Sequence, residues 1–112
     1  MKKMTLALLA TSLFATSALA QAADDLAAIK SAGVMKFGTE GTYAPYTYHD
    51  KSGKLVGFDV DVARAVAEKM GVKPEFVEGR WDGLIAGLSA KRYDAVINQV
   101  RVTDERKAKF DF

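Results

Sequence analysis

From Val34 onward the chain alternates short apolar runs with longer stretches of helical period, and few folds accommodate that rhythm. Val34–Thr39 reads as a strand that runs into Gly41-Thr42-Tyr43-Ala44-Pro45-Tyr46, an aromatic loop with two helix breakers. Thr47-Tyr48 and Leu55-Val56 flank the turn residues Asp50-Lys51-Ser52-Gly53, the pattern of a hairpin. Across residues 59–70 the period becomes helical. Val62, Val66 and Met70 recur at i, i+4 and i+8, flanked by Ala63 and Ala67, and Gly71 follows the end. Those three are expected to face a core. Lys73–Glu78 returns as a strand, residues 81–90 as a helix and residues 95–99 as a strand, while a short helix over 24–31, stopped by Gly33, precedes them all. Strands separated by helices need crossover connections, so the expected architecture is α/β, a mainly parallel sheet with helices on both faces.

Residues 1–20 follow a different pattern. Met1-Lys2-Lys3 is a basic start, residues 4–14 are an apolar stretch broken only by Thr and Ser, and Ala18-Leu19-Ala20 is a small-x-small site. These are the three parts of a secretory signal peptide cleaved after Ala20. The stretch is too short, and too soon followed by Gln21-Ala22-Ala23-Asp24-Asp25, for a spanning helix. With no cysteine in the chain, a lipid-modified cysteine at the cleavage site and a disulfide framework are both excluded. The mature product is expected to be exported and soluble, with no membrane insertion after cleavage.

Charge excludes other partners. The chain carries 16 Lys+Arg against 14 Asp+Glu, and the surplus of two is Lys2 and Lys3, which leave with the signal. A balanced mature chain gives no reason to expect nucleic acid or an anionic membrane. Residues 101–109 are basic but interleaved with Asp104 and Glu105, and no aromatics alternate with the cations to stack bases. Nothing requires catalysis or a cofactor either. His49 is the one histidine and reads as a solvated residue of the hairpin turn beside Asp50, so a His/Cys metal site is excluded by count. Gly53-Lys54 lacks the rest of a phosphate loop, and Asp59, Asp61 and Asp82 fall in first helical turns, where the helix dipole accounts for them.

The chemistry concentrates in residues 93–107. The apolar run Ala95-Val96-Ile97 empties into Asn98-Gln99 and then into a helix start, with Thr103 as N-cap, Asp104 and Glu105 in the first turn and Arg106 next. The carboxyl edge of an open α/β sheet is where small ligands bind. A guanidinium there can take a carboxylate, such as that of an amino acid, through two charge-assisted bonds, helped by nearby backbone N–H groups. The alternative is an arginine paired with Asp104 or Glu105 on a solvated helix face.

Gly41-Thr42-Tyr43-Ala44-Pro45-Tyr46, Gly57-Phe58-Asp59-Val60-Asp61-Val62-Ala63, Trp81-Asp82-Gly83-Leu84-Ile85 and residues 94–106 together resemble the periplasmic solute-binding proteins of polar amino-acid ABC importers, of the family 3 type. Ile97-Asn98-Gln99-Val100 is most similar to the cystine-binding members. The resemblance implies two α/β lobes joined by hinge strands, an amino acid clamped between them, and an inner-membrane permease as partner. Residues 21–112 are then expected to be an incomplete N-terminal lobe, which alone binds weakly or not at all. By resemblance, Arg106 matches the carboxylate-binding arginine, and Tyr43 and Trp81 the aromatics that sandwich the ligand side chain. Asn98 and Gln99 match positions whose backbone or side chain faces the ligand, Glu40 one near the side-chain end of the pocket, and Tyr46 packs under the loop. Arg101 departs from the family, which usually has Thr or Ser there. Either the ligand is doubly acidic, or Arg101 swings to solvent, which is simpler. The competing class is a periplasmic prephenate/arogenate dehydratase-like enzyme of the same fold, whose acid–base carboxylate would lie outside this chain.

Overall fold

The computed structural model describes residues 25–112; the signal-peptide segment 1–20 lies outside them. Among the described residues the elements run α1 (Asp25–Ala32), β1 (Val34–Thr39), β2 (Tyr48–His49), β3 (Leu55–Val56), α2 (Phe58–Met70), β4 (Lys73–Glu78), α3 (Trp81–Ser89), β5 (Ala95–Val96) and α4 (Asp104–Lys107). The sheet is parallel in the order β4–β1–β5. Val34 stands opposite Lys73, Thr39 opposite Glu78, and Phe37 and Gly38 opposite Ala95 and Val96. The hairpin β2–β3 pairs separately. Asp50 closes it: its Oδ1 accepts from the Ser52 hydroxyl at 2.6 Å and from the backbone N–H groups of Ser52 and Lys54. Those bonds, the Ser52 hydroxyl's first, hold the Asp50 carboxyl below its usual pKa.

Successive residues of β1 point to opposite faces, and each face has its own cover. Phe37 enters a core with Ile29 of α1, Ala63 and Ala67 of α2 and Val72, and stacks on Phe76 at 5.7 Å between centroids. Gly38 faces the other way, where the Tyr93 ring lies against it. A Cβ on Gly38 would stand 2.7 Å from that ring, and one on Gly87 of α3 would collide with the Tyr93 hydroxyl. Tyr93 therefore fills a slot that two glycines leave open, and its hydroxyl donates to the Leu84 carbonyl of α3. Burial raises the Tyr93 pKa.

Two expectations need correction. In α2 the buried stripe is Val60, Ala63 and Ala67, whereas Val62 and Val66 are 37% and 40% exposed and only Met70 of the expected trio is partly buried. Both stripes are apolar with helical spacing; the one with short side chains wins because it lets the helix axis approach the sheet. The last strand ends at Val96 rather than at residue 99. The Asn98 side chain turns back to β1, and Gln99 takes a left-handed backbone at φ +53 that no strand accommodates.

The start of α2 fixes the aromatic loop. Gly57 has φ +129, and a Cβ there would run into the Tyr46 carbonyl oxygen. That close approach lets the first N–H groups of α2, which have no partner inside the helix, donate outward: Phe58 to the Pro45 carbonyl at 3.1 Å and Asp59 to the Tyr46 carbonyl at 2.9 Å. No helix among the described residues is long and apolar enough to cross a membrane.

Candidate functional site

The carboxyl ends of β1, β4 and β5 release three groups of residues at one edge of the sheet: the loop 40–47, the start of α3, and the segment 97–107. Asn98 joins the first to the last. It is 3% exposed; its Oδ1 accepts from the Glu40 N–H at 2.9 Å and the Thr39 hydroxyl at 3.1 Å, and its Nδ2 donates to the Glu40 carboxylate at 2.5 Å. The Thr39 and Thr47 hydroxyls share a further buried bond at 2.8 Å, and the Gly41 N–H reaches Thr47 Oγ1. The Asn98 side chain is thus committed to the framework. Glu40 is half-buried, with one oxygen taken by Asn98.

Arg106 is half-buried, and its guanidinium carbon stands 5.6 Å from the centroid of the Trp81 ring. Its Nη1 donates to the Arg101 carbonyl at 2.9 Å, and the rest of the fork stays available. The alternative pairing with Asp104 or Glu105 is not adopted; the ion pair on α4 is Lys107 with Asp104, at 3.4 Å on the exposed surface. Thr103 caps α4 as expected, accepting from the Arg106 N–H at 3.1 Å. That bond takes the Arg106 N–H itself, and α4 is a single turn. The Arg101 side chain is exposed, matching the swing to solvent.

The aromatic pair is exposed, Tyr43 at 45% and Trp81 at 40%. Tyr43 packs edge-on against Tyr46 at 5.1 Å, with Tyr46 half-buried beneath as expected, and no ring contact joins Tyr43 to Trp81. Glu40, Thr42, Glu78 and Trp81 line one open depression, while Arg106 lines another with Val96, Val100 and Phe112. The Trp81–Arg106 contact links the two.

Gln99 and two residues that spacing and composition did not single out complete the framework. Asp59 is 2% exposed, far from the solvated first-turn residue the helix dipole would explain. Its Oδ2 accepts from the Gln99 N–H at 2.8 Å and its Oδ1 from Gln99 Nε2 at 2.6 Å. The Gln99 side chain therefore points to α2 and not into the site. His49 ends β2 and is no free turn residue: its ring nitrogens meet the Gly41 carbonyl at 3.1 Å and Glu78 Oε1 at 2.9 Å, tying the hairpin to the loop and to β4. No local signal announces either; Asn98 and Asp59 reach partners 58 and 40 residues away. Among the described residues no group of three or more His, Cys, Asp and Glu side chains could hold a metal ion.

Residues 35–112 match the model of the bacterial extracellular solute-binding proteins, family 3. The chain belongs to this family. It is 50% identical over 114 residues to a probable amino-acid ABC transporter-binding protein of Haemophilus influenzae, covering all of this chain and 44% of that protein. To the L-cystine-binding protein TcyA of Bacillus subtilis it is 54% identical, over 77% of this chain and 32% of that one. The chain thus spans less than half the length of the curated relatives it matches. Its fold is that of solved amino-acid-binding proteins. The L-cystine solute receptor of Neisseria gonorrhoeae, in its unliganded open conformation, matches at TM-score 0.72 and 60% identity over 77% of this chain and 37% of that one. The arginine-bound form of domain 1 from TmArgBP matches at 0.70 and 38%, over 72% and 64%. An ancestral cyclohexadienyl dehydratase matches at 0.74 and 42%, over 78% and 36%. The curated relatives are binding proteins rather than enzymes, and the family is extracellular.

Proposed function

We propose that this chain is the first-lobe portion of the solute-binding component of an ABC importer, exported to the periplasm by the signal peptide at residues 1–20 and binding a polar amino acid, cystine or similar, through its carboxylate. The observation that carries the reading is Arg106. The residue is half-buried, and its guanidinium lies over the Trp81 ring, is anchored by the Arg101 carbonyl, and is paired with no carboxylate among the described residues. Such a group is a receptor for a planar anion. Trp81 and Tyr43 flank the ligand side chain, the Glu40 oxygen not taken by Asn98 faces its far end, and the backbone at Asn98 and Gln99 meets its polar groups. Arg101 contributes its carbonyl while its side chain stays in solvent. The names of the Bacillus and Neisseria proteins favour cystine. The permease is the partner that receives the ligand.

Residues 21–112 supply one wall of a clamp, so the chain alone binds weakly. A single domain of TmArgBP occurs in an arginine-bound form, which favours weak binding by one lobe over none. The test is calorimetry in a two-lobed protein carrying this lobe. Arg106→Ala leaves a desolvated carboxylate unpaired and should cost about 2–5 kcal/mol, tens- to thousands-fold in affinity. Arg106→Lys should fall short as well, because a point charge does not replace the fork. Unchanged affinity in the alanine variant would sink the assignment. The likeness to the ancestral dehydratase keeps one enzymatic reading in view, and turnover of prephenate or arogenate by that protein would replace transport with catalysis.

A further inference from the structure

We propose that Asp59 is a positioning residue: it fastens the aromatic loop to the turn that presents Arg106, acting through Gln99, and this rests on the binding-site reading above. Asp59 and Asp61 share the first turn of α2, where a helix dipole favours both alike, yet Asp61 is exposed and Asp59 is 2% exposed. A carboxylate withdrawn from water needs strong partners. Asp59 has two, both from Gln99: the backbone N–H at 2.8 Å on one oxygen and the side-chain amide at 2.6 Å on the other.

What the two bonds hold is an unusual backbone. Gln99 has φ +53, a conformation that costs a residue with a Cβ and that glycine would adopt freely. Two-point anchoring keeps it there. The turn at Gln99 redirects the chain directly after the buried Asn98, and two residues later the Arg101 carbonyl accepts from Arg106 Nη1 at 2.9 Å. On its other side Asp59 donates its own N–H to the Tyr46 carbonyl at 2.9 Å, and the Tyr46 ring supports Tyr43. One residue therefore joins the loop that carries Tyr43 to the segment that carries Arg106.

The polarity of the clamp supplies a test that a generic structural role would fail. Both bonds run from Gln99 to Asp59. Asp59→Asn removes the charge but keeps both bonds in weaker, neutral form, because the Gln99 amide can turn over and accept from the new NH₂; Gln99→Glu sets two carboxylates face to face and breaks the side-chain bond. With both substitutions present, the new amide at position 59 accepts from the backbone N–H of position 99 and donates to the new carboxylate there, so both bonds return with one reversed. Trp81 is the chain's one tryptophan, so its indole N–H resonance in ¹⁵N NMR of the full chain reports the Arg106–Trp81 geometry without added ligand. Gln99→Glu should shift that resonance, Asp59→Asn should shift it less, the double variant should bring it back toward wild type, and Asp61→Asn should leave it in place. Where L-cystine or L-arginine binding is measurable, Gln99→Glu should lose about tenfold and the double variant should regain it. The function proposed above stands or falls by calorimetry of the two-lobed protein, while the indole resonance of this chain decides the present inference. If a single variant fails to fold, a double variant that folds supports the clamp. Unmoved resonances in both singles, or a double variant that merely sums their effects or also fails to fold, overturns it.

Discussion

Replacing Asn98 by alanine isolates the bond that closes the site's floor. Asn98 serves three partners, and they do not suffer equally. The Glu40 N–H lies inside the cluster and loses its acceptor at 2.9 Å outright; an orphaned buried donor costs about 1–3 kcal/mol. The Glu40 carboxylate loses the amide at 2.5 Å, but Glu40 is only half-buried, so water takes up the vacated lone pair and the added cost is about 0.5–1 kcal/mol. The Thr39 hydroxyl keeps its bond with Thr47 and adds little. The total is about 1.5–4 kcal/mol, a large share of the 5–15 kcal/mol by which domains are stable. In a chain of this length it should lower the melting temperature by roughly 10–25 °C. The assay is urea unfolding followed by far-UV circular dichroism, with a thermal melt beside it. Asn98→Asp sharpens the reasoning: it keeps the acceptor for Glu40 and Thr39 but sets a second carboxylate against Glu40, so its deficit should shrink as the pH falls and one of the two takes a proton. An alanine variant within about 0.5 kcal/mol of wild type would refute the accounting, because it would mean that Glu40 and Thr39 find other partners once the Asn98 side chain is gone.

Tyr93→Phe should cost about 1 kcal/mol at neutral pH through the lost bond to the Leu84 carbonyl. It should also flatten the alkaline end of the stability curve: the raised pKa means the fold keeps the Tyr93 proton where the unfolded chain, near pH 10, releases it, so wild-type stability falls as pH rises from there and the variant's does not; melts from pH 8 to 11 with equal slopes would count against this. Gly57→Ala should destabilise by about 3 kcal/mol or more, since φ +129 and the Tyr46 carbonyl oxygen both reject a Cβ, and an unchanged urea midpoint would show that the α2 start relaxes without loss.

What could be read in the sequence was whatever is local. The strands Val34–Thr39 and Lys73–Glu78 stand where the residue pattern placed them, because glycines lie near both ends of each and Val34, Phe37, Thr39, Phe76 and Val77 suit a pleated sheet. Thr103 was legible as a cap, since a cap is defined by neighbours three residues away. The orientation of α2 was not, because Val62-Val66-Met70 and Val60-Ala63-Ala67 have equal claims until the distance to the sheet is known. Arg106 and Trp81 were visible as residue types, and their meeting over 25 positions of chain became visible only in three dimensions. The same holds for Asp59 and His49, whose partners are brought by tertiary packing and leave no trace in composition.

The slot occupied by Tyr93 has an evolutionary consequence. One phenol ring is the spacer between the sheet and α3, and α3 carries Trp81 at its first turn. A methyl group gained at position 38 or 87 would have no room unless the ring were traded for a smaller side chain, and a smaller side chain would leave a void unless a methyl group appeared opposite. Positions 38, 87 and 93 are therefore bound to substitute in concert. A lineage that changes one of them in isolation would tilt α3 and shift Trp81 against Arg106 from a distance, without altering either of those residues.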